Sequence, residues 1–334
     1  MFSYRITFDG SLRDLAMIEF LSLINTYGAS VNMQEIKYKT FLVDSNIPLE
    51  AIFLRSALIT RAERILGSDP WNIDWNKLFN SFSTDSNNIA LTYRIEKIEP
   101  NCKIGIKDID AAIRSTIPNV KVSMTYPQIV LCVRKIQKHD FICQPLKTGR
   151  DYCLERQLKY RPYAPSAAMD SLLSRALVNL SHLLPSEIFL DPFCGTGSLL
   201  IEAAFMGLKT FGSDINPQHV RASRMLLEYY NVQATVRIAD ARDLPFEDNF
   251  IDGIATDPPY GLSSSTYGES LYRLYEKFLG EGYRVLKDSR FLVTCFTPNI
   301  PVTELAKSIG FEVLDVITMR VHSKLTRLIG ILRS

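Results

Sequence analysis

The chain has 334 residues, of which 46% are hydrophobic and 22% are charged, a composition that excludes collagen-like, low-complexity and wholly disordered proteins. Because 38 Lys and Arg oppose 36 Asp and Glu, the formal net charge is only +2, and any binding of nucleic acid must depend on a local basic patch. No apolar run reaches the roughly 18 residues of a membrane span, and the first residues lack the apolar core of a signal peptide. The six cysteines are scattered and histidines are few, so we expect reduced thiols, no zinc site and a cytoplasmic location.

Residues 1–80 are predicted to form a first domain with the order strand, helix, strand, helix. Residues 2–8 alternate between apolar and polar side chains, as in a strand. Residues 12–28 have apolar residues at helical spacing and end at Gly28, a residue that is favoured just after a helix. Residues 36–45 are predicted to be extended, and residues 49–67 repeat the pattern of a helix followed by glycine. A polar stretch that starts at Ser81 then marks a domain boundary.

Residues 81–157 are predicted to form a small, basic α/β domain. From Arg94 to Arg161 the sequence contains 14 Lys and Arg against seven Asp and Glu, so the rest of the chain is net acidic. This charge is typical of a module that binds a polyanion, although a basic surface that meets only solvent has the same composition. If the polyanion is RNA, the candidate contact residues are Arg94, Lys97, Lys147, Arg150 and Arg161.

A linker and a leading helix are predicted over residues 158–185, and residues 186–334 then alternate regularly between strands and helices. This alternation predicts an α/β fold with a doubly wound, mostly parallel sheet. Ligands of such sheets bind at the carboxyl ends of the strands. The residues that follow the predicted strands are therefore the candidate site residues.

An aspartate follows each of the first four strands of this alternation. These residues are Asp191, Asp214, Asp240 and Asp257. Gly195 and Gly197 allow a tight turn after the first strand, but the third glycine of a dinucleotide site and the lysine of an ATP loop are missing. Because acids repel phosphate, we expect a phosphate-free nucleoside with positive charge, such as S-adenosylmethionine. Any one of these acids is more simply a helix N-cap, but four at successive strand ends favour a ligand site.

Each part of this cofactor has a candidate partner. Asp214 would accept hydrogen bonds from the ribose hydroxyls, and Asp240 would accept one from the adenine amino group, beside the N–H of Ala241. Asp191 and the glycine loop would face the cationic methionine end. The cofactor-binding residues predicted at these strand ends are Asp191, Phe193, Gly195, Gly197, Asp214, Ile215, Asp240 and Ala241.

The sequence Asp-Pro-Pro-Tyr at residues 257–260 predicts the chemistry. The exocyclic amine of a nucleobase is a poor nucleophile, because its lone pair is delocalised. The Asp257 carboxylate and the Pro258 carbonyl can each accept one N–H of such an amine, and Asp257 can take a proton as a methyl group is transferred. Tyr260 offers a ring for the base to stack on. The predicted catalytic residues are therefore Asp257, Pro258 and Tyr260, with no metal required.

These motifs resemble those of class I S-adenosylmethionine-dependent methyltransferases, most closely the archaeal tRNA guanosine-10 N2-methyltransferases. The resemblance rests on residues 161–165 (RPYAP), 191–197 (DPFCGTG), 214, 240–241 and 257–261 (DPPYG). It implies a Rossmann-like methyltransferase domain over residues 186–334, preceded by a ferredoxin-like domain (1–80) and a THUMP RNA-binding domain (81–157). It also implies that Asp257 and Pro258 bind the guanine amine, and that Ser166 and Met169 reach the methionine end of the cofactor.

The same resemblance implies the partners. The THUMP domain would bind tRNA near its acceptor end, and some members of the family work with a small zinc-containing activator subunit, which is a candidate partner here. Because a base inside a duplex cannot reach such a site, we expect the target nucleotide to be flipped out. The product would carry one or two methyl groups on guanosine N2.

Two alternatives stay open. The Asp-Pro-Pro-Tyr sequence also suits adenine N6 and cytosine N4, as in an rRNA or DNA amino-methyltransferase, although the basic segment favours structured RNA. A protein of another class, an RNA-binding protein without activity, would retain only the cofactor fold. We interpret Cys194 as a packing residue and His219, on a predicted helix, as structural.

Overall fold

The computed structural model describes residues 1–81, 91–165, 168–261, 270–322 and 325–334. Over these residues the chain forms two compact units, each assembled from separate segments of the sequence. The first unit consists of residues 1–8, 30–53 and 60–147, and the second of residues 9–29, 54–59 and 148–334. Within the described ranges, no helix is both long and apolar enough to cross a membrane.

The first unit contains an eight-stranded mixed sheet. Its strands are β1 (Phe2–Phe8), β2 (Val31–Lys37), β3 (Thr40–Ser45), β4 (Ile59–Gly67), β5 (Thr92–Ile98), β6 (Lys121–Val122), β7 (Ile129–Ile136) and β8 (His139–Leu146). They lie in the order β2-β3-β1-β4-β8-β7-β5-β6. β5 runs parallel to β6 and β7, whereas β7 and β8 are antiparallel. Strands from both sides of the boundary predicted at Ser81 share this sheet, and the limits of the two predicted N-terminal domains stay a prediction.

Four helices accompany these strands in the sequence. They are α1 (Arg13–Thr26), α2 (Glu50–Arg55), α3 (Trp75–Asn80) and α4 (Ile106–Thr116). On α4, Ile109, Ala112 and Ile113 have the spacing of one helix face and share a core with Tyr93 of β5. Helix α1 is followed, as predicted, by Gly28 at a positive φ of 64°.

The helix predicted over residues 49–67 is wrong beyond Arg55, because the chain continues there as strand β4. Glu63 of this strand is buried, and two arginines neutralise it. Arg5 Nη1 donates to Glu63 Oε2 at 2.8 Å, and Arg134 Nε donates to Glu63 Oε1 at 2.7 Å. Because β4 pairs with β8, which lies far along the sequence, local periodicity alone does not reveal the strand.

The second unit contains a seven-stranded sheet with helices. Its strands are β9 (Ile188–Asp191), β10 (Lys209–Asp214), β11 (Thr235–Ile238), β12 (Ile251–Thr256), β13 (Leu286–Phe296), β14 (Glu312–His322) and β15 (Leu325–Arg333). The helices that residues 148–334 contribute to this unit are α5 (Gly149–Glu155), α6 (Ser171–Leu180), α7 (Ser198–Phe205), α8 (Pro217–Tyr229), α9 (Leu271–Val285) and α10 (Val302–Ile309).

The strands of this sheet lie in the order β11-β10-β9-β12-β13-β15-β14. Strands β9 to β13 are mutually parallel, and β15 runs antiparallel to both β13 and β14. The order reverses between β9 and β12, as in a doubly wound, Rossmann-like sheet. The predicted mostly parallel α/β fold is confirmed, and its ligand crevice is expected at this reversal.

Helix α1 belongs to the second unit, although it lies near the start of the sequence. It packs against α6, and its fully buried Glu19 accepts four hydrogen bonds. The donors are Ser56 Oγ at 2.7 Å, the Ala57 amide at 2.8 Å, the Leu58 amide at 3.0 Å and Asn179 Nδ2 at 2.8 Å. A buried carboxylate is stable only with such donors. The second unit is therefore incomplete without residues from the first 60 positions.

Two glycines of α9 give a matched test of how closely this helix packs on the sheet. A Cβ at Gly282 would lie 2.6 Å from Leu292 Cδ1, whereas a Cβ at Gly280 would meet no heavy atom within 4 Å. Gly282→Ala should lower the free energy of unfolding by about 1–3 kcal/mol through overpacking. Gly280→Ala should raise it by about 1 kcal/mol through helix propensity. Urea unfolding measures both, and equal effects would contradict this packing.

Candidate functional site

Three aspartates stand at the carboxyl edge of the parallel strands, at and beside the reversal of strand order. Asp191 ends β9 and is 1% exposed. Its Oδ1 accepts hydrogen bonds from Thr256 Oγ1 at 2.6 Å and from the Phe193 amide at 3.2 Å. Burial, reinforced by the charges of Asp214 and Asp257, raises the pKa of Asp191 to about 7. The site therefore concentrates negative charge that water does not stabilise.

The loop after β9 takes a shape that requires glycine. Gly195 and Gly197 have positive φ angles of 50° and 86°. The Gly195 amide donates to Asp214 Oδ2 at 2.9 Å, which joins the loop to the end of β10. A Cβ at Gly197 would lie 2.4 Å from Ser223 Oγ, whereas one at Gly195 would meet nothing within 4 Å. The loop thus packs tightly at Gly197 and leaves open space at Gly195.

Asp214 organises the turn after β10. Its Oδ1 accepts a hydrogen bond from the Asn216 amide at 2.8 Å and lies 3.2 Å from His219 Nδ1. Ile215, which follows it, is 37% exposed. A carboxylate has about four lone-pair sites, so Asp214 retains acceptor capacity for a ligand.

Asp240 and Ala241 both have partners within the protein. Arg242 donates to both carboxylate oxygens of Asp240, with Nε at 2.9 and 3.0 Å. These hydrogen bonds lower the pKa of Asp240. Ala241 is buried in the hydrophobic core. Their predicted contacts with adenine stay a prediction.

A cavity of about 130 Å³ lies at this edge of the sheet. Its lining includes Met169, Asp191, Phe193, Gly195, His219 and Asp257. Five of these six are predicted site residues. His219, interpreted as structural from the sequence, is the exception, and its place in the first turn after Asp214 was the available signal. Ser166 lies outside the described residues.

Asp257, just after β12, belongs to a cluster that includes one unexpected residue. The Tyr260 hydroxyl donates to Asp257 Oδ1. Arg327 of β15 donates from Nη2 to Asp257 Oδ2 at 3.2 Å and from Nε to the Tyr260 hydroxyl at 2.8 Å. Burial raises the pKa of Asp257, and the Arg327 charge and the Tyr260 hydrogen bond oppose that rise. Pro258 is buried.

Arg161 is almost completely buried, and its role as an RNA contact stays a prediction. It is 7% exposed, its Nη1 donates to Ser198 Oγ at 2.8 Å, and its Nε donates to the Arg156 carbonyl at 3.3 Å. Burial lowers the pKa of Arg161. Ser198 begins α7 and lines the cavity. Arg161 therefore anchors the segment 161–165 beside the glycine loop.

The other predicted RNA contacts have different surroundings. Arg94 is half-buried and donates to a backbone oxygen at 2.6 Å, and Arg150 pairs with Asp9 at 2.9 Å. Lys147 is exposed. The side chain of Lys97 lies outside the described residues. Lys147 is thus the predicted RNA contact whose exposure best suits a phosphate.

Comparison with known proteins gives matches to the whole chain and to its C-terminal half. The family model described as RMKL-like, methyltransferase domain matches residues 158–329. A tRNA (guanine(10)-N2)-dimethyltransferase of Pyrococcus abyssi is 29% identical, over 95% of each chain. A protein of the same name from Methanothermobacter thermautotrophicus is 37% identical, over 52% of this chain and 51% of its own. The crystal structure of TrmN from Thermus thermophilus aligns over 100% of both chains with 18% identity and a TM-score of 0.49.

The raised pKa of Asp191 predicts how stability depends on pH. Between about pH 4 and pH 7 the folded protein keeps a proton that the unfolded chain releases, so the free energy of unfolding should fall as pH rises through this range. Asp191→Asn keeps the acceptor for Thr256 but has no charge to bury. It should therefore lose this pH dependence and be more stable than the wild type at pH 8.

Urea unfolding at pH 4.5, 6 and 8 measures the difference. Asp248→Asn removes one charge from a carboxylate that is 70% exposed, and it serves as the control. A wild type and an Asp191→Asn variant with parallel pH curves would contradict the buried charge.

Proposed function

The chain belongs to the RMKL-like methyltransferase domain family, and on this premise we propose that it transfers methyl groups from S-adenosylmethionine to N2 of the guanosine at position 10 of tRNA. The observation that carries the proposal is the position of Asp257, on a cavity that Asp191 and the glycine loop also line. Similarity to tRNA (guanine(10)-N2)-dimethyltransferases over most of the chain supports this choice of substrate and a second methyl transfer.

The cavity suits a cationic nucleoside. When bound, S-adenosylmethionine supplies a methyl group on a sulfonium, whose sulfur keeps the electron pair of the broken C–S bond. Asp191 and Asp257 place negative charge around the cavity, and the open space at Gly195 lets a ligand approach the backbone. Asp214, with acceptor capacity left beside Gly195, is suited to the ribose hydroxyls.

Asp257 and Pro258 act on the acceptor amine. The Asp257 carboxylate accepts one N–H of guanine N2 and the Pro258 carbonyl accepts the other, which directs the amine lone pair to the methyl group. As the N–C bond forms, the amine becomes more acidic, and Asp257 takes the proton. The raised pKa of Asp257 makes the carboxylate a better base than an exposed aspartate. Tyr260 is proposed to stack on the guanine ring.

A base paired within a duplex cannot reach a carboxylate that is only 20% exposed. The target nucleotide is therefore proposed to flip out of its helix, at a cost of a few kcal/mol in stacking and pairing. Contacts to the rest of the tRNA must supply that energy.

We propose that the N-terminal part of the chain, with a ferredoxin-like domain (1–80) and a THUMP domain (81–157), supplies those contacts. At the β6 edge of its sheet, Tyr126 is 86% exposed and Met124 is 69% exposed. Lys121, on the same edge, is also exposed. An exposed aromatic ring suits stacking with an unpaired base, and an exposed lysine suits a phosphate.

Two further proposals concern the cellular location of the enzyme and its partner subunit. The six cysteines are free thiols, which supports a reducing cytoplasm as the location. A small zinc-containing activator subunit stays a candidate partner. Methylation of tRNA by the purified chain alone would show that such a subunit is not required.

Asp257→Asn tests the catalytic proposal. The variant keeps the shape of the side chain but cannot take the proton, so turnover on tRNA should fall about 10²- to 10⁴-fold. Binding of S-adenosylmethionine, measured by calorimetry, should change much less. Mass spectrometry of the nucleosides from treated tRNA identifies the product. Asp248→Asn is the matched control, and unchanged N2 methylation by Asp257→Asn would exclude the proposed role.

Tyr126→Ala tests the proposed RNA surface. Loss of a stacking ring should weaken tRNA binding by about 1–3 kcal/mol, and the salt dependence of binding should not change because no charge is lost. Tyr38, which is 65% exposed in the turn between β2 and β3 at the opposite edge of the sheet, gives Tyr38→Ala as the control. Equal affinities of the two variants for tRNA would contradict this surface.

A further inference from the structure

Arg327 stands out because it is a charged residue inside the second unit, on a strand rich in apolar residues. Its side chain is 13% exposed. Strand β15 lies between β13 and β14, and the residues after Arg327 read Leu-Ile-Gly-Ile-Leu. A cation with so little access to water needs a partner whose interactions offset the free energy of its desolvation.

The partner of Arg327 is the Asp257–Tyr260 pair. One guanidinium contacts the carboxylate at 3.2 Å and the hydroxyl at 2.8 Å, and its carbon lies 5.8 Å from the centre of the Tyr260 ring. Because the Tyr260 hydroxyl also donates to Asp257, the three side chains form a closed set of hydrogen bonds. A planar guanidinium with fixed donors restricts the plane of the carboxylate more than a lysine ammonium can.

The charges around Asp257 show that the contact with Arg327 affects whether Asp257 is charged. Among the residues that the structure describes, the titratable groups that face Asp257 are Asp191 on β9, Tyr260 on its own loop, Tyr275 on α9, Cys295 on β13 and Arg327 on β15. Arg327 is the cation of this set, and the other four are acids or neutral groups. Without it, Asp257 would be a partly buried carboxylate that interacts with the fully buried carboxylate of Asp191, and protonation would relieve that charge.

We propose that Arg327 is a positioning residue of the site: its guanidinium holds Asp257 as a charged carboxylate in the orientation that accepts the substrate amine. This inference rests on the proposed function. Arg327 itself does not take part in methyl transfer. Its effect on the reaction passes through Asp257, which can take the amine proton only in its charged form.

The pH dependence of kcat/KM for tRNA distinguishes this role from a merely structural one. The acidic limb of the wild-type profile reports ionisation of Asp257. In Arg327→Gln this limb should move to higher pH by about one unit or more, since the charge that favours the carboxylate is gone. The loss of activity should therefore be largest at low pH and smallest at high pH.

Two further variants complete the comparison. Arg327→Lys keeps the charge but not the two-point contact, so its acidic limb should stay near that of the wild type while kcat falls at least about tenfold. Arg333→Gln changes an exposed arginine on the same strand, paired with Glu312, and should leave the profile unchanged. A uniform loss in Arg327→Gln with an unmoved limb, or full kcat in Arg327→Lys, would overturn the proposal.

A measurement without tRNA separates this inference from the proposed function. Urea unfolding of wild type, Arg327→Gln, Asp257→Asn and the double variant gives the coupling between the two side chains. The coupling should be favourable at pH 8 and should disappear below the acidic limb. If the coupling is found but no N2-methylguanosine forms, the proposed function fails and the charge pairing stands. If guanosine is methylated and no coupling is found, the role of Arg327 is wrong.

Discussion

The reversal of strand order between β9 and β12 is the constraint on which the site depends. It brings the ends of two buried parallel strands together, and each end carries a carboxylate. Protein groups contact these two carboxylates and that of Asp214 at the end of β10: Thr256 and the Phe193 amide for Asp191, Arg327 for Asp257, and the Gly195 amide for Asp214. The protein thus neutralises the negative charges of the site only in part, and a cationic ligand would neutralise the remainder.

The same burial has opposite effects on stability and on chemistry. Desolvation raises the pKa of Asp191 and of Asp257, so each charged carboxylate weakens the folded state. Yet a carboxylate with a raised pKa is a better proton acceptor for an amine that becomes acidic during transfer. Arg327 reduces the loss of stability caused by the charged Asp257. It still leaves Asp257 able to accept a proton, because its contact leaves lone pairs of the carboxylate free.

The sequence was informative where a function depends on neighbouring residues and uninformative where it depends on distant ones. The strand ends at Asp191, Asp214 and Asp257 were predictable, because each apolar run is followed directly by its acid. Arg327 was not, since its partners lie 67 and 70 residues away in the chain. The fold shows the same division: β9 to β13 follow from local alternation, whereas strand β4 was not recognised, since its pairing with β8 joins residues far apart in the sequence.

The buried carboxylate of Glu19 imposes an order on events at the ribosome. Helix α1 leaves the exit tunnel early, but Asn179, one of its hydrogen-bond donors, is 160 residues further along the chain. At roughly 5–20 residues per second, that separation corresponds to about 8–30 s of synthesis. Over that interval Glu19 lacks one of its four native donors, so the packing of α1 against α6 is completed only after residue 179 has been synthesised.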